Sequence, residues 1–256
     1  MEKIEGIKAA GKIVANILKQ LKNAAKVGVS GRDLENIAKN LMEENKVQSS
    51  IFNYQGFPSY ICVSLNNELT HGIPDDRPFQ DGDLVSIDVA CNCQGYHADA
   101  ALTLIIGDGD AKKKDLLRVT KNSLYYTIQS IQPNITTTQD IGATLEKFIR
   151  SRGYYPIKEY GGHIIGTSMH SDTYQDQEVK IFIPNYKTKG KGKVLRAGMF
   201  ICIEPLVQIS DAKVELHEDK RVVSATVTSR FRANAGPGRK KIIEGDLVEI
   251  EISLDD

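Results

Sequence analysis

The sequence predicts an α+β fold: two similar halves, each a helix pair followed by strands, packed around one antiparallel sheet. Three observations predict it. Apolar residues recur at helical spacing in four segments and alternate with polar residues between them. The order is helix, helix, strands, and then the same series again. Each half opens with a long helix followed by a shorter one that starts with Ser/Thr-x-x-Asp. The reading is one catalytic unit over 1–256, with pseudo-symmetric halves of about 1–108 and 109–256. Such a fold brings its halves together around a central cleft.

The elements follow in order. Residues 3–24 carry Ile4, Ile7, Ala10, Val14, Ile17, Leu18 and Leu21, one apolar helical face, and Gly28 closes the segment. Ser30-Gly31-Arg32-Asp33 is a capping-box start, and Leu34, Ile37, Ala38 and Leu41 supply the inner face behind it. From about 51 to 107 the period falls to two. Ile61, Val63 and Leu65 alternate with polar residues, as do Val85, Ile87 and Val89, and Leu102, Leu104 and Ile106. A helix returns over 111–132 and stops at Pro133. Thr137-Thr138-Gln139-Asp140 caps the next, which ends at Gly153. Strand-like runs follow near 179–183, 198–206, 221–232 and 247–254.

Lys+Arg and Asp+Glu both total 33, so the chain is formally neutral. That argues against a protein that coats nucleic acid or an anionic membrane. No apolar run approaches the roughly 20 residues of a membrane span. The charged start has no secretory core, so cytoplasm is the expected compartment. Cys62, Cys91, Cys93 and Cys202 read as reduced thiols. Cys91 and Cys93 lack the second short-spaced pair that a zinc site wants. Lys187-Thr188-Lys189-Gly190-Lys191-Gly192-Lys193 reads as a solvated loop, with transient contact to ribosomal RNA as the sharper alternative.

Three acidic residues do not read as surface material. Asp88, Glu204 and Glu249 each sit inside an apolar strand-like run. A carboxylate there is costly unless it is paired or holds a metal. Asp99 follows Asp88 by eleven positions, a spacing that lets two neighbouring strands present both groups to one site. His163, in Gly161-Gly162-His163-Ile164-Ile165-Gly166, offers an imidazole with little bulk before it, and His170 comes seven positions later.

These residues lie in motifs that resemble the type I methionine aminopeptidases of the pita-bread metallopeptidase family. The motifs are Gly56-Phe57-Pro58-Ser59-Tyr60-Ile61-Cys62-Val63-Ser64-Leu65-Asn66, His71-Gly72-Ile73-Pro74-Asp75, Gly82 through Asp99, Gly162 through His170, Ile183-Pro184-Asn185-Tyr186, and Gly198 through Pro205. The resemblance runs in order from the first helix to about residue 206. It implies a pita-bread fold and two divalent ions (Mn, Fe, Co or Zn) on Asp88, Asp99, His163, Glu204 and a fifth ligand. The family closes with Glu-His-Thr, which this chain lacks. Glu249 is the better match for that ligand, and Glu251 shares its face by strand parity. Ala100 after Asp99, Ser171-Asp172-Thr173 after His170 and the absence of tryptophan mark a divergent member.

The resemblance also implies the chemistry. A monomer hydrolyses the first peptide bond of peptides and nascent chains that begin with methionine. Glu204 takes and returns the proton of the attacking water. His170 polarises the scissile carbonyl, and His71 contacts the substrate near the scissile nitrogen. Phe57, Tyr60 and Cys62 line the methionine pocket, while His97 and His217 have no catalytic part. Two alternatives compete. One is a proline-specific relative, which would carry a histidine where Gly162 stands. The other is a binding protein that kept the cleft and lost turnover.

Overall fold

In a computed structural model, four helices form where the apolar periodicity predicts them. The structure describes residues 2–174, 177–216, 222–224, 228–230 and 233–235. Helix α1 (Lys3–Ala24) buries Ile7, Ala10, Val14, Ile17, Leu18 and Leu21. Helix α2 (Gly31–Glu44) starts with a complete capping box, in which Ser30 Oγ accepts from the Asp33 amide and the Asp33 carboxylate accepts from the Ser30 amide. Helix α3 (Ala111–Gln129) is capped by Asp110 and stops a turn before Pro133. Helix α4 (Thr138–Arg150) repeats the capping box with Thr137 and Asp140.

A long hairpin, Leu84–Cys93 with Tyr96–Ile105, forms the sheet's centre. Its two-residue turn places both Gln94 (φ 52°) and Gly95 (φ 89°) in the left-handed region, the geometry that tight hairpins need. Cys62–Leu65 and Gln48–Ser49 pair with the other side of Leu84–Cys93. Helices α1 and α2 cover this sheet, burying Val85, Ile87 and Val89 in one core. Helices α3 and α4 cover a second core containing Ile201, Ile203 and Val207.

Strands after α4 are shorter than the sequence suggests. The expected run 198–206 breaks into Ile201–Ile203 and Leu206–Gln208 around Glu204-Pro205, because proline offers no amide to the ladder. Within the run 221–232 the described residues form the strands Val222–Ser224 and Thr228–Arg230. Thr228–Arg230 pairs with Leu206–Gln208, and Ala233–Ala235 pairs with Ile201–Ile203. Two partner strands therefore pair on either side of Glu204. The run 247–254 lies outside the described residues. No helix among the described residues is long and apolar enough to cross a membrane.

Candidate metal centre

Register puts the two aspartates on one face. Asp88 pairs with Ala101 and Ala90 pairs with Asp99, so Asp88 and Asp99 are diagonal neighbours across the hairpin. Both are buried. His163 arrives from the short strand Gly162–His163, which lies against Ile201–Ile203. That approach requires glycine at 162: a Cβ there would sit 1.9 Å from the Cys202 carbonyl oxygen. Glu204 follows directly after Ile201–Ile203 and is also buried.

The four groups converge. His163 Nε2 lies 3.6 Å from Asp99 Oδ2 and 3.2 Å from Glu204 Oε1. His163 Nδ1 is 2.9 Å from the Ile164 carbonyl. A carbonyl can only accept, so Nδ1 carries the proton and Nε2 faces the carboxylates. Nε2 is buried without a hydrogen-bond partner among the described residues. Burial opposes charge on this ring, but Cys202, Asp99 and Glu204 outweigh it and raise its pKa well above the ordinary value. The cluster thus favours a positive charge at this point.

Cys202 completes the group. One ligand atom each from Asp99, His163 and Cys202 lies within 4.8 Å of the others, all three buried. An imidazole, carboxylates and a thiol at this spacing suit a divalent transition ion, so these residues fit a metal on that side of the cluster.

On the opposite side the space is taken by Arg230, which is 2% exposed. Its Nη2 lies 2.9 Å from Asp88 Oδ2 and 3.2 Å from Glu204 Oε2, and Nη1 donates to Thr70 Oγ1. The Arg230 backbone is held by Thr103 Oγ1, which accepts from its amide at 3.0 Å. A buried guanidinium is tolerated only with such compensation.

The cluster lines a cavity of about 400 Å³. Asp88, Asp99, His163, Glu204, His71, His170, Phe57 and Cys62 all line it. His170 Nδ1 sits 2.8 Å from the Tyr54 hydroxyl, and its ring centre is 4.3 Å from that of His163. His71 holds a left-handed backbone (φ 58°), uncommon for a residue with a side chain, and its ring meets Tyr160 edge-on at 5.4 Å. Ile51, Phe57, Cys62, Ala90 and Met169 form an apolar cluster separate from the two main cores. Four of these, Ile51, Phe57, Cys62 and Met169, wall the cavity beside the metal side.

Tyr60 requires a correction, because it is not part of this wall. Its ring stacks on Phe52 at 4.4 Å under the Lys39 ammonium, and its amide donates to Glu35 Oε1. The strand begins only at Cys62, so Tyr60 precedes it in the motif that the resemblance assigns to the pocket. His97 bonds Ser50 and Asn92 and does not line the cavity. Glu249, Glu251 and His217 lie outside the described residues. Sequence reading missed Arg230, Cys202, Tyr54, Thr70 and Met169. Cys202 shares strand parity with Glu204, a signal that could have found it. Arg230 gives no local signal, since it sits in a polar, basic run and is brought in by register with Leu206.

Comparison with known proteins agrees with this geometry. The profile of metallopeptidase family M24 matches residues 5–251. The methionine aminopeptidase of Mycoplasma capricolum is 38% identical over 234 residues, covering 90% of each chain. The crystal structure of methionine aminopeptidase from Thermotoga maritima superposes with a TM-score of 0.83 at 34% identity, over 91% of each chain. That of methionine aminopeptidase from Rickettsia prowazekii gives 0.85 at 28% identity, over 91% of this chain and 92% of the other. With its α+β pita-bread fold and a cavity lined by carboxylates and imidazoles, this chain belongs to metallopeptidase family M24, among the relatives of the methionine aminopeptidases.

Proposed function

We propose that this chain is a metal-dependent aminopeptidase that hydrolyses the first peptide bond of peptides and nascent chains beginning with methionine. The observation that carries the reading is the adjacency of two features in one cavity: the Asp99–His163–Glu204 cluster and the apolar wall of Ile51, Phe57, Cys62 and Met169. An unbranched thioether side chain fits such a wall, and its α-amino group would then lie near the carboxylates.

Asp99, His163 and Glu204, with Cys202 beside them, would hold a divalent ion, which would supply Lewis acidity and a water acidic enough to react near neutral pH. The rest falls to the chain's own groups. Glu204 accepts the proton of the attacking water and returns it to the leaving amine. With the Tyr54 hydroxyl donating to His170 Nδ1, the ring proton sits on Nε2, which donates to the developing oxyanion. His71, fixed by its backbone and by Tyr160, lies on the cavity where the scissile nitrogen would pass. The apolar wall orients the first residue and excludes water from it.

The resemblance implies two ions, with Asp88 among their ligands and Glu249 or Glu251 as the fifth. Asp88 and the Glu204 oxygen beside it are engaged by Arg230 and would hold a second ion only if that side chain withdrew. Two helix pairs, each over its own core, support a single catalytic unit with pseudo-symmetric halves. Cytoplasm and a monomeric state remain part of this reading. For ribosome contact the support is the exposure of Lys187, Lys189, Lys191 and Lys193, on a loop whose backbone is tied to α4 through Thr138 and Glu146.

Methionine release from Met-Ala should exceed leucine release from Leu-Ala by at least about tenfold, the scale of a shape mismatch in an apolar pocket. Xaa-Pro peptides should be poorer still. A side-by-side assay checks this, and faster cleavage of Xaa-Pro would move the chain to the proline-specific class.

A further inference from the structure

The two carboxylate oxygens of Glu204 face different positive partners. Oε1 lies 3.2 Å from His163 Nε2, beside Asp99 and Cys202. Oε2 lies 3.2 Å from Arg230 Nη2, which also holds Asp88 Oδ2 at 2.9 Å. The cluster is thus divided into a half open to a metal ion and a half filled by a guanidinium.

We infer that this centre holds one divalent ion, on the Asp99–His163–Cys202 side, and that Arg230 permanently occupies the position a second ion would need. The inference rests on the metal-dependent reading above and narrows it. Ligand competition is the first argument. A second ion shared with the first would sit roughly 3.5–4 Å from it, bound by Asp88 and the outer oxygen of Glu204, and Arg230 already engages both groups. Charge is the second. Among the described residues, Asp88, Asp99 and Glu204 bring three negative charges and a metal-bound Cys202 thiolate would bring a fourth, against three positive charges from one guanidinium and one divalent ion. Two divalent ions beside a buried arginine would leave uncompensated positive charge, which a dry interior does not tolerate. Anchoring is the third. Thr70 accepts from Nη1, and Thr103 bonds both the amide and the carbonyl of Arg230, so the residue is anchored at its guanidinium and at its backbone.

The test counts ions without using turnover. Chelated full-length chain is titrated with Mn(II), uptake is measured by calorimetry, and the loaded protein is examined by electron paramagnetic resonance. The expected result is one tight equivalent with the spectrum of an isolated ion. Arg230→Met should then take up a second equivalent and show the broadened spectrum of two coupled ions. A wild-type chain that takes up two coupled ions overturns the inference, and this arm stands even if the variant fails to fold. A folded Arg230→Met that still binds only one ion overturns the role given to Arg230. Two coupled ions together with methionine release from Met-Ala would sink the inference and leave the proposed reaction intact. One isolated ion without methionine release would do the reverse. No uptake at all would overturn both.

Discussion

Replacing Asp99 or Glu204 by alanine is expected to empty the metal side of the cluster and to lower methionine release by more than about a hundredfold. Lost metal partners farther from an ion already cost ten- to a hundredfold, and these two groups lie closer. Asp99 is 1% and Glu204 3% exposed, and both face His163 Nε2. Either alanine removes a negative charge from the point where the cluster favours a positive one. Glu204→Ala has a second effect, since it leaves Arg230 with Asp88 as its one carboxylate partner among the described residues. It should therefore destabilise the chain as well, by about 3–5 kcal/mol if the buried charge is not otherwise relieved. Metal content by mass spectrometry and the thermal midpoint separate these effects. Near wild-type turnover with full metal in either variant would remove that residue from the centre.

His170→Ala should lower kcat by about a hundred- to a thousandfold while leaving metal content and KM for Met-Ala close to wild type. That is the scale of removing one donor aimed at a developing oxyanion. The geometry explains why metal content should hold. His170 packs against His163 at 4.3 Å between ring centres, but its own Nδ1 is committed to the Tyr54 hydroxyl at 2.8 Å. Tyr54→Phe removes only that orienting bond and should cost much less. Loss of the ion in His170→Ala would make His170 a part of the metal cluster and not of the substrate's binding.

Much of the fold is legible because its signals are local. Both capping boxes use residues three apart, so Ser30 with Asp33 and Thr137 with Asp140 declare the starts of α2 and α4. Asp88 is legible because a charge in the run Leu84–Val89 has no inexpensive place on a sheet covered by α1 and α2. His163 is harder to read. Its strand is two residues long, too short for alternation, and only the glycine before it hints at the close approach to Cys202.

The remainder depends on contacts between distant parts of the chain. Arg230 is joined to Asp88 across 142 positions by the pairing of Thr228–Arg230 with Leu206–Gln208, and nothing near residue 230 announces it. A second pairing, of Ala233–Ala235 with Ile201–Ile203, occupies the strand position next to Glu204. The strand beside Ile201–Ile203 contributes Ala233, Asn234 and Ala235, while Glu249 and Glu251 lie outside the described residues. Tyr60 shows the opposite failure. The resemblance groups it with Phe57 and Cys62, but stacking on Phe52 and an amide bond to Glu35 hold it away from the cavity lining.

The most direct test of the central claim is a chelation and restoration cycle on one sample. The full chain is stripped of metal, assayed with Met-Ala, reloaded with Mn(II), Fe(II), Co(II) or Zn(II), and assayed again. The account predicts no methionine release from the stripped chain and recovery on reloading, with activity rising in step with bound ion. Undiminished release from metal-free protein, or none from any reloaded form, would contradict it.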